Sequence, residues 1–76
     1  MDAGAHPLAG NHDEKVTEGL DGLRARLDEY YKLGARFSKW RAVITIGDRI
    51  PSWACIEANA HALARYAKLS QEAGIV

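Results

Sequence analysis

Lys39 and Arg41 stand one residue apart at the head of an apolar, β-branched run, within the stretch Phe37-Ser38-Lys39-Trp40-Arg41-Ala42-Val43-Ile44-Thr45-Ile46-Gly47-Asp48. In a strand, successive side chains point to opposite faces. Lys39, Arg41, Val43 and Thr45 would then share one face, and Trp40, Ala42, Ile44 and Ile46 the other. The second face is apolar and belongs against helices, with Trp40 as outward packing rather than a ring that stacks on substrate. The first carries two positive charges on what should be a buried strand, where charge is costly unless it is paired or meets an anion. Lysine offers phosphate a compact point charge and arginine a planar fork. An anion site inside a barrel of strands would satisfy both residues. On spacing alone, a solvated strand start with Lys-Trp-Arg as a surface cap is the simpler reading.

The elements that must position this pair follow from periodicity and punctuation. Ala5-His6-Pro7-Leu8-Ala9 reads as the end of a strand, and Gly10-Asn11-His12-Asp13 as a loop. A helix then begins between Thr17 and Asp21 and runs over about 20–33. Leu20, Leu23, Leu27 and Tyr30 form its apolar face. Gly19 and Gly22 would weaken its first turns or mark a late start, and Gly34 closes it. The strand spans about 37–46. Gly47 to Pro51 makes a loop, with Pro51 keeping Ile50 extended, and Ser52 is the N-cap candidate for a helix over about 53–73. Its expected apolar stripe is Ile56, Ala60, Leu63 and Ala67. Gly74 ends it, and Ile75-Val76 reads as the start of another strand. The order is strand end, helix, strand, helix, strand start, in one domain over residues 1–76. Alternation of this kind implies parallel strands joined by helical crossovers.

Other chemistry-bearing residues have simpler explanations. His6 and His12 have no cysteine or carboxylate cluster at a metal-binding spacing, and read as loop histidines. Glu57, His61 and Arg65 sit four apart and read as a solvated helix face or a brace for a neighbouring loop. Cys55 is the single cysteine; it reads as a small apolar helix residue, and a reducing cytosol is the simplest setting. Ten basic and ten acidic residues balance, which gives no case for nucleic acid or an anionic membrane as partner. No apolar run approaches a membrane span, and the N-terminus lacks a signal-peptide pattern.

Parallel strands are normally covered on both faces and paired on both edges. Here one full strand has a stub on either side, two helices can cover one face, and the Lys39–Arg41 face stays open. Seventy-six residues make a marginal domain even when complete. By itself such a chain should be poorly folded or self-associated.

Gly34-Ala35-Arg36-Phe37-Ser38-Lys39-Trp40-Arg41-Ala42-Val43, with Ile46-Gly47-Asp48 and Pro51-Ser52 after it, resembles the fourth strand of class I fructose-bisphosphate aldolases. Pro7-Leu8-Ala9-Gly10 and Glu18-Gly19-Leu20-Asp21-Gly22-Leu23 fit upstream. Glu57-Ala58-Asn59-Ala60, Leu63-Ala64-Arg65-Tyr66-Ala67 and Gln71-Glu72-Ala73-Gly74-Ile75-Val76 fit downstream, so the likeness covers nearly the whole chain. It implies an α/β fold, a fragment of a (β/α)8 TIM barrel running from the end of the third strand to the start of the fifth. It also implies a lyase that splits fructose 1,6-bisphosphate into two triose phosphates through a lysine Schiff base, reversibly, in glycolysis and gluconeogenesis. No metal or cofactor is implied; full-length members are often homo-oligomers, and a cytoplasmic location follows.

In the family the proton-transferring glutamate belongs to the strand that would begin at Ile75-Val76, and the Schiff-base lysine to the next. The 76 residues therefore hold neither, and alone are expected to be inactive. Lys39 matches a catalytic, substrate-contacting lysine, Arg41 a residue at the phosphate-binding end, and Asp2 an active-site aspartate at the end of the third strand. Lys39 and Arg41 come early in their strand, whereas barrel sites lie at the C-terminal face. Competing functions are a non-enzymatic interaction module, α/β or helical, docking a partner through Trp40, Trp53 and Tyr66, and a phosphate-binding α/β piece without lyase activity.

Overall fold

In a computed structural model that describes residues 1–76, the chain begins with an antiparallel hairpin of Ala5–Leu8 (β1) and Asn11–Thr17 (β2). This corrects the reading of Gly10–Asp13 as loop. The turn is confined to Ala9-Gly10, with Gly10 at φ 88°, and a two-residue connection suffices for antiparallel strands. Ala5 faces Thr17, His6 faces Val16 and Pro7 faces Lys15, and the register slips between Pro7 and Leu8. The Ala3 N–H donates to Glu18 O (2.8 Å) and the Glu18 N–H to Gly4 O (2.9 Å), which prolongs the pairing past both strands. Asn, His and Asp open β2 against their own strand propensity, which tertiary context overrides.

Leu23–Lys32 forms α1. It starts later than the expected residue 20 because Gly22, at φ 68°, holds its N-cap in the left-handed region. Gly19, at φ 123°, passes so close to the N-terminal strand that an added Cβ would lie 2.7 Å from the Ala3 nitrogen. The two glycines therefore serve chain reversal and close approach, not a helical turn. Leu23 and Leu27 are fully buried, and Leu20 and Tyr30 pack against them. Gly34 follows at φ 112°.

The segment 37–46, expected as a strand, is not one in this structure. Only its first residues are paired: Val76 N–H donates to Arg36 O (2.9 Å) and Ser38 N–H to Val76 O (2.8 Å). One residue bonded to the neighbours of its opposite number, here Phe37, is the parallel bonding pattern. No other backbone hydrogen bond reaches residues 39–46, so the segment lacks the neighbours that a ladder requires. A tight turn closed by Gly47 and Ile50 and a cis Ile50–Pro51 peptide lead to α2, Trp53–Glu72. Ser52 caps α2: its hydroxyl accepts from Cys55 N–H at 3.1 Å.

The expected stripe of α2 is also corrected. Ile56, Ala60, Leu63 and Ala67 are exposed, whereas Cys55, Asn59, Ala62, Leu69 and Ser70 are buried. Both faces are largely uncharged, and polar bonds decide between them: Asn59 Nδ2 donates to Lys15 O at 3.0 Å and so seats the 55–59–62 face on β2. The core is small, with Leu23, Leu27, Trp40, Leu69 and Ile75 at its centre. The radius of gyration is 13.7 Å, against about 11 Å for a compact domain of this length. No helix is long and apolar enough to cross a membrane.

Candidate active site

Trp40 divides the segment that carries the two cations. Its ring is buried, 5.1 Å from the Tyr66 ring of α2 and tilted by 30°. Before it, Ser38 Oγ lies 2.6 Å from Tyr66 Oη and 3.2 Å from Ser70 Oγ. After it, the buried Thr17 hydroxyl donates to the Arg41 carbonyl. The backbone is thus held from α2 on one side of Trp40 and from β2 on the other. Lys39 and Arg41, its immediate neighbours, are exposed. Neither forms an ion pair or side-chain hydrogen bond; the single ion pair, Arg24–Glu72 at 3.4 Å, is on the helices. Two exposed positive charges on an anchored backbone, one residue apart and without a protein counter-charge, suit a polyanionic ligand.

Asp2 lies elsewhere. Its carboxylate accepts from the Gly4 N–H at 2.9 Å and so shapes the turn into β1. It lines an open recess of about 1090 Å³ between the hairpin and the helices, together with Glu57, His61 and Arg65. Lys39 and Arg41 do not line that recess, so Asp2 does not share it with the two cations. Glu57 and His61 share no hydrogen bond. His6 Nε2 lies 2.7 Å from Ala3 O, and no three potential metal ligands gather anywhere in the chain.

Sequence reasoning missed a polar network that ties the hairpin to α2. Glu14 is 2% exposed. Its carboxylate accepts from Ser52 N–H at 2.8 Å and from Asn11 Nδ2 at 3.1 Å. Ser52 Oγ already accepts from Asn11 and from Cys55 N–H, which leaves its own proton for Glu14. That side-chain bond is the main cause holding Glu14 below the usual carboxylate range; burial opposes it. Position at the helix N-terminus adds a favourable dipole. Burial, and after it the nearby Glu14 carboxylate, push the Cys55 thiol up. No local pattern announces Glu14, because Ser52, the partner that draws it to the start of α2, lies 38 residues away.

A family model for class-I fructose-bisphosphate aldolase matches residues 1–76. The chain belongs to the class-I fructose-bisphosphate aldolase family. Across its whole length it is 75% identical to a probable fructose-bisphosphate aldolase class 1 of Xylella fastidiosa, of which it covers 23%. It is 55% identical to the cytosolic fructose-bisphosphate aldolase 5 of Arabidopsis thaliana, covering 21% of that protein. Among solved structures, the Plasmodium falciparum fructose-bisphosphate aldolase, in complex with TRAP and a small-molecule inhibitor, superposes with a TM-score of 0.92. That match has 44% identity and covers 99% of this chain and 22% of the other. The chain spans about a quarter of the length of the curated relatives it matches. The hairpin and the two helices thus follow the backbone of that aldolase over nearly the whole chain.

Proposed function

We propose that this chain supplies the cationic wall of a sugar-bisphosphate site in a class-I aldolase barrel. The observation that supports this reading lies at 39–41: Trp40 is buried against Tyr66, and Lys39 and Arg41 on either side of it are exposed. In the proposed barrel the order is strand end, helix, strand, helix, strand start. The segment 37–46 forms its ladder there against neighbours on both edges, and the Val76 bonds to Arg36 and Ser38 are the first rungs on one of them. The hairpin is an addition to the βα connection.

The reaction is the reversible cleavage of fructose 1,6-bisphosphate to glyceraldehyde 3-phosphate and dihydroxyacetone phosphate. Its covalent step needs an amine nucleophile on a ketone, and that amine, with the proton-transferring glutamate, comes from elsewhere in the barrel. Lys39 places a positive charge by the reacting carbons, where preorganised charge lowers the barrier as oxyanion character develops. Arg41 holds a phosphate that does not react. Asp2 supports the site indirectly, by fixing the turn into the hairpin whose Thr17 anchors Arg41.

The test is a chimera: the Xylella fastidiosa relative with its matching residues replaced by this chain. Lys39→Ala should cut its kcat by about a hundredfold or more, on the scale of losing one preorganised charge-stabilising group. A chimera that splits the bisphosphate at an unchanged rate after Lys39→Ala would refute the assignment.

A further inference from the structure

Tyr66 of α2 holds both neighbours of Lys39. Its hydroxyl oxygen lies 2.6 Å from Ser38 Oγ, and its ring lies 5.1 Å from the Trp40 ring at a tilt of 30°. The first contact has the length of a well-formed bond between hydroxyls. The second has the separation at which aromatic rings attract. Ser70 adds its own hydroxyl to Ser38 Oγ at 3.2 Å, and it shares a face with Tyr66 because the two stand four residues apart on the helix. Asn59, Ala62, Leu69 and Ser70 of that face are buried. The face that seats α2 on the hairpin through Asn59 thus reaches the 38–40 segment through Tyr66.

Packing alone does not call for the hydroxyl. A phenylalanine would stack on Trp40 as well, and a half-buried phenol costs free energy unless its oxygen is paired. Here the pairing goes to the residue before Lys39. A lysine carries its ammonium on a flexible four-carbon stem, so the charge is placed no better than the backbone at the root of that stem. Ser38 and Trp40, covalently joined to that root on either side, are fixed by one and the same side chain. Arg41 has a different support, the Thr17 hydroxyl of β2 on its carbonyl. We infer that Tyr66 is a positioning residue for Lys39: through Ser38 and Trp40 it fixes where the lysine's charge stands against the reacting carbons, and it leaves phosphate binding at Arg41 to the hairpin. The inference rests on the site reading proposed above.

Steady-state kinetics of the same chimera test it. Tyr66→Phe keeps the ring and removes the hydroxyl. It should lower kcat by about fivefold, the scale of one net hydrogen bond, and leave both KM for fructose 1,6-bisphosphate and the preference for it over fructose 1-phosphate unchanged. Ser38→Ala should produce the same loss, and the two changes together no greater loss than either, because both delete one bond. Ser38→Thr, which keeps a hydroxyl, should retain most of the rate. Tyr31→Phe, on an exposed ring of α1, is the control and should change nothing. In a Lys39→Ala background, Tyr66→Phe should alter the residual rate by less than about twofold. An unchanged kcat in Tyr66→Phe and Ser38→Ala would overturn the inference. Additive losses would do so too, and so would equal losses with and without Lys39, which would make Tyr66 a support of the fold alone. Melting midpoints are read beside the rates, and where Tyr66→Phe lowers its midpoint the Ser38→Ala and Ser38→Thr pair decides. Lys39→Ala at an unchanged rate would refute the site reading and this inference with it, whereas an impaired Lys39→Ala beside an unaffected Tyr66→Phe would refute the inference alone.

Discussion

Replacing Trp40 by alanine probes the hinge of the functional reading, because the side on which Trp40 lies dictates the side on which Lys39 and Arg41 lie. The ring is 8% exposed and contacts a core of Leu23, Leu27, Leu69 and Ile75. Emptying such a site costs about 3–5 kcal/mol, part of it the Tyr66 pairing, which in other proteins is worth about 0.5–1.5 kcal/mol. A complete domain of 76 residues has a total stability of roughly 4–11 kcal/mol at typical values per residue, and with 11 buried residues and unpaired strand edges this chain falls at or below the low end, in keeping with a poorly populated folded state. Trp40→Ala should therefore abolish most of the folded population, whereas Phe37→Ala, at an 80% exposed site, should cost within about 0.5 kcal/mol. Urea titration followed by far-ultraviolet circular dichroism, at protein concentrations low enough to keep the chain monomeric, compares them. With a slope of about 1 kcal/mol per molar, the Trp40 variant should show no folded baseline and the Phe37 variant a nearly unchanged midpoint. Equal effects at the two positions would place Trp40 outside the core and remove the reason for setting the cations on the open face.

Two further outcomes follow from the network at the start of α2. Glu14 titrates below its usual 4.5 in the folded chain, so its contribution to stability is complete above that value and is lost as the pH falls through the depressed one. The dock of hairpin on α2 should weaken on acidification in that window, and Glu14→Gln should flatten the acid limb of a plot of midpoint against pH; an unchanged acid limb would contradict the network. Cys55 is buried with its thiol titration pushed up, so it should react with a thiol reagent at least about tenfold more slowly in the native chain than in urea, and equal rates would show that the α2 N-terminus opens freely.

The two helices were legible because their signals are local. Leu20, Leu23, Leu27 and Tyr30 repeat at helical spacing, Ser52 has the right side chain for an N-cap, and Gly34 and Gly74 stop the chain in left-handed turns. The hairpin was not legible, because Asn11, His12 and Asp13 have loop chemistry and become strand only by pairing with β1. The stripe of α2 was misassigned because Cys55 and Asn59 pack inward through bonds that depend on β2. For the site, alternation at 39–41 was enough to separate Trp40 from the cations. Thr17 and Tyr66, which brace that arrangement, act across distances in the chain that no local pattern reports.

Whether Arg41 faces a substrate phosphate, as proposed, is decided by steady-state kinetics of the Arg41→Ala chimera on fructose 1,6-bisphosphate and fructose 1-phosphate. Losing a hydrogen bond to a charged group costs roughly 1.5–3 kcal/mol, which is about one to two powers of ten in KM. The account predicts that loss on the bisphosphate with a much smaller change in kcat, a reduced defect on the monophosphate, and only partial recovery with Arg41→Lys, which lacks the planar fork. Equal losses on both substrates would contradict it and leave Arg41 as a structural support of the barrel interior.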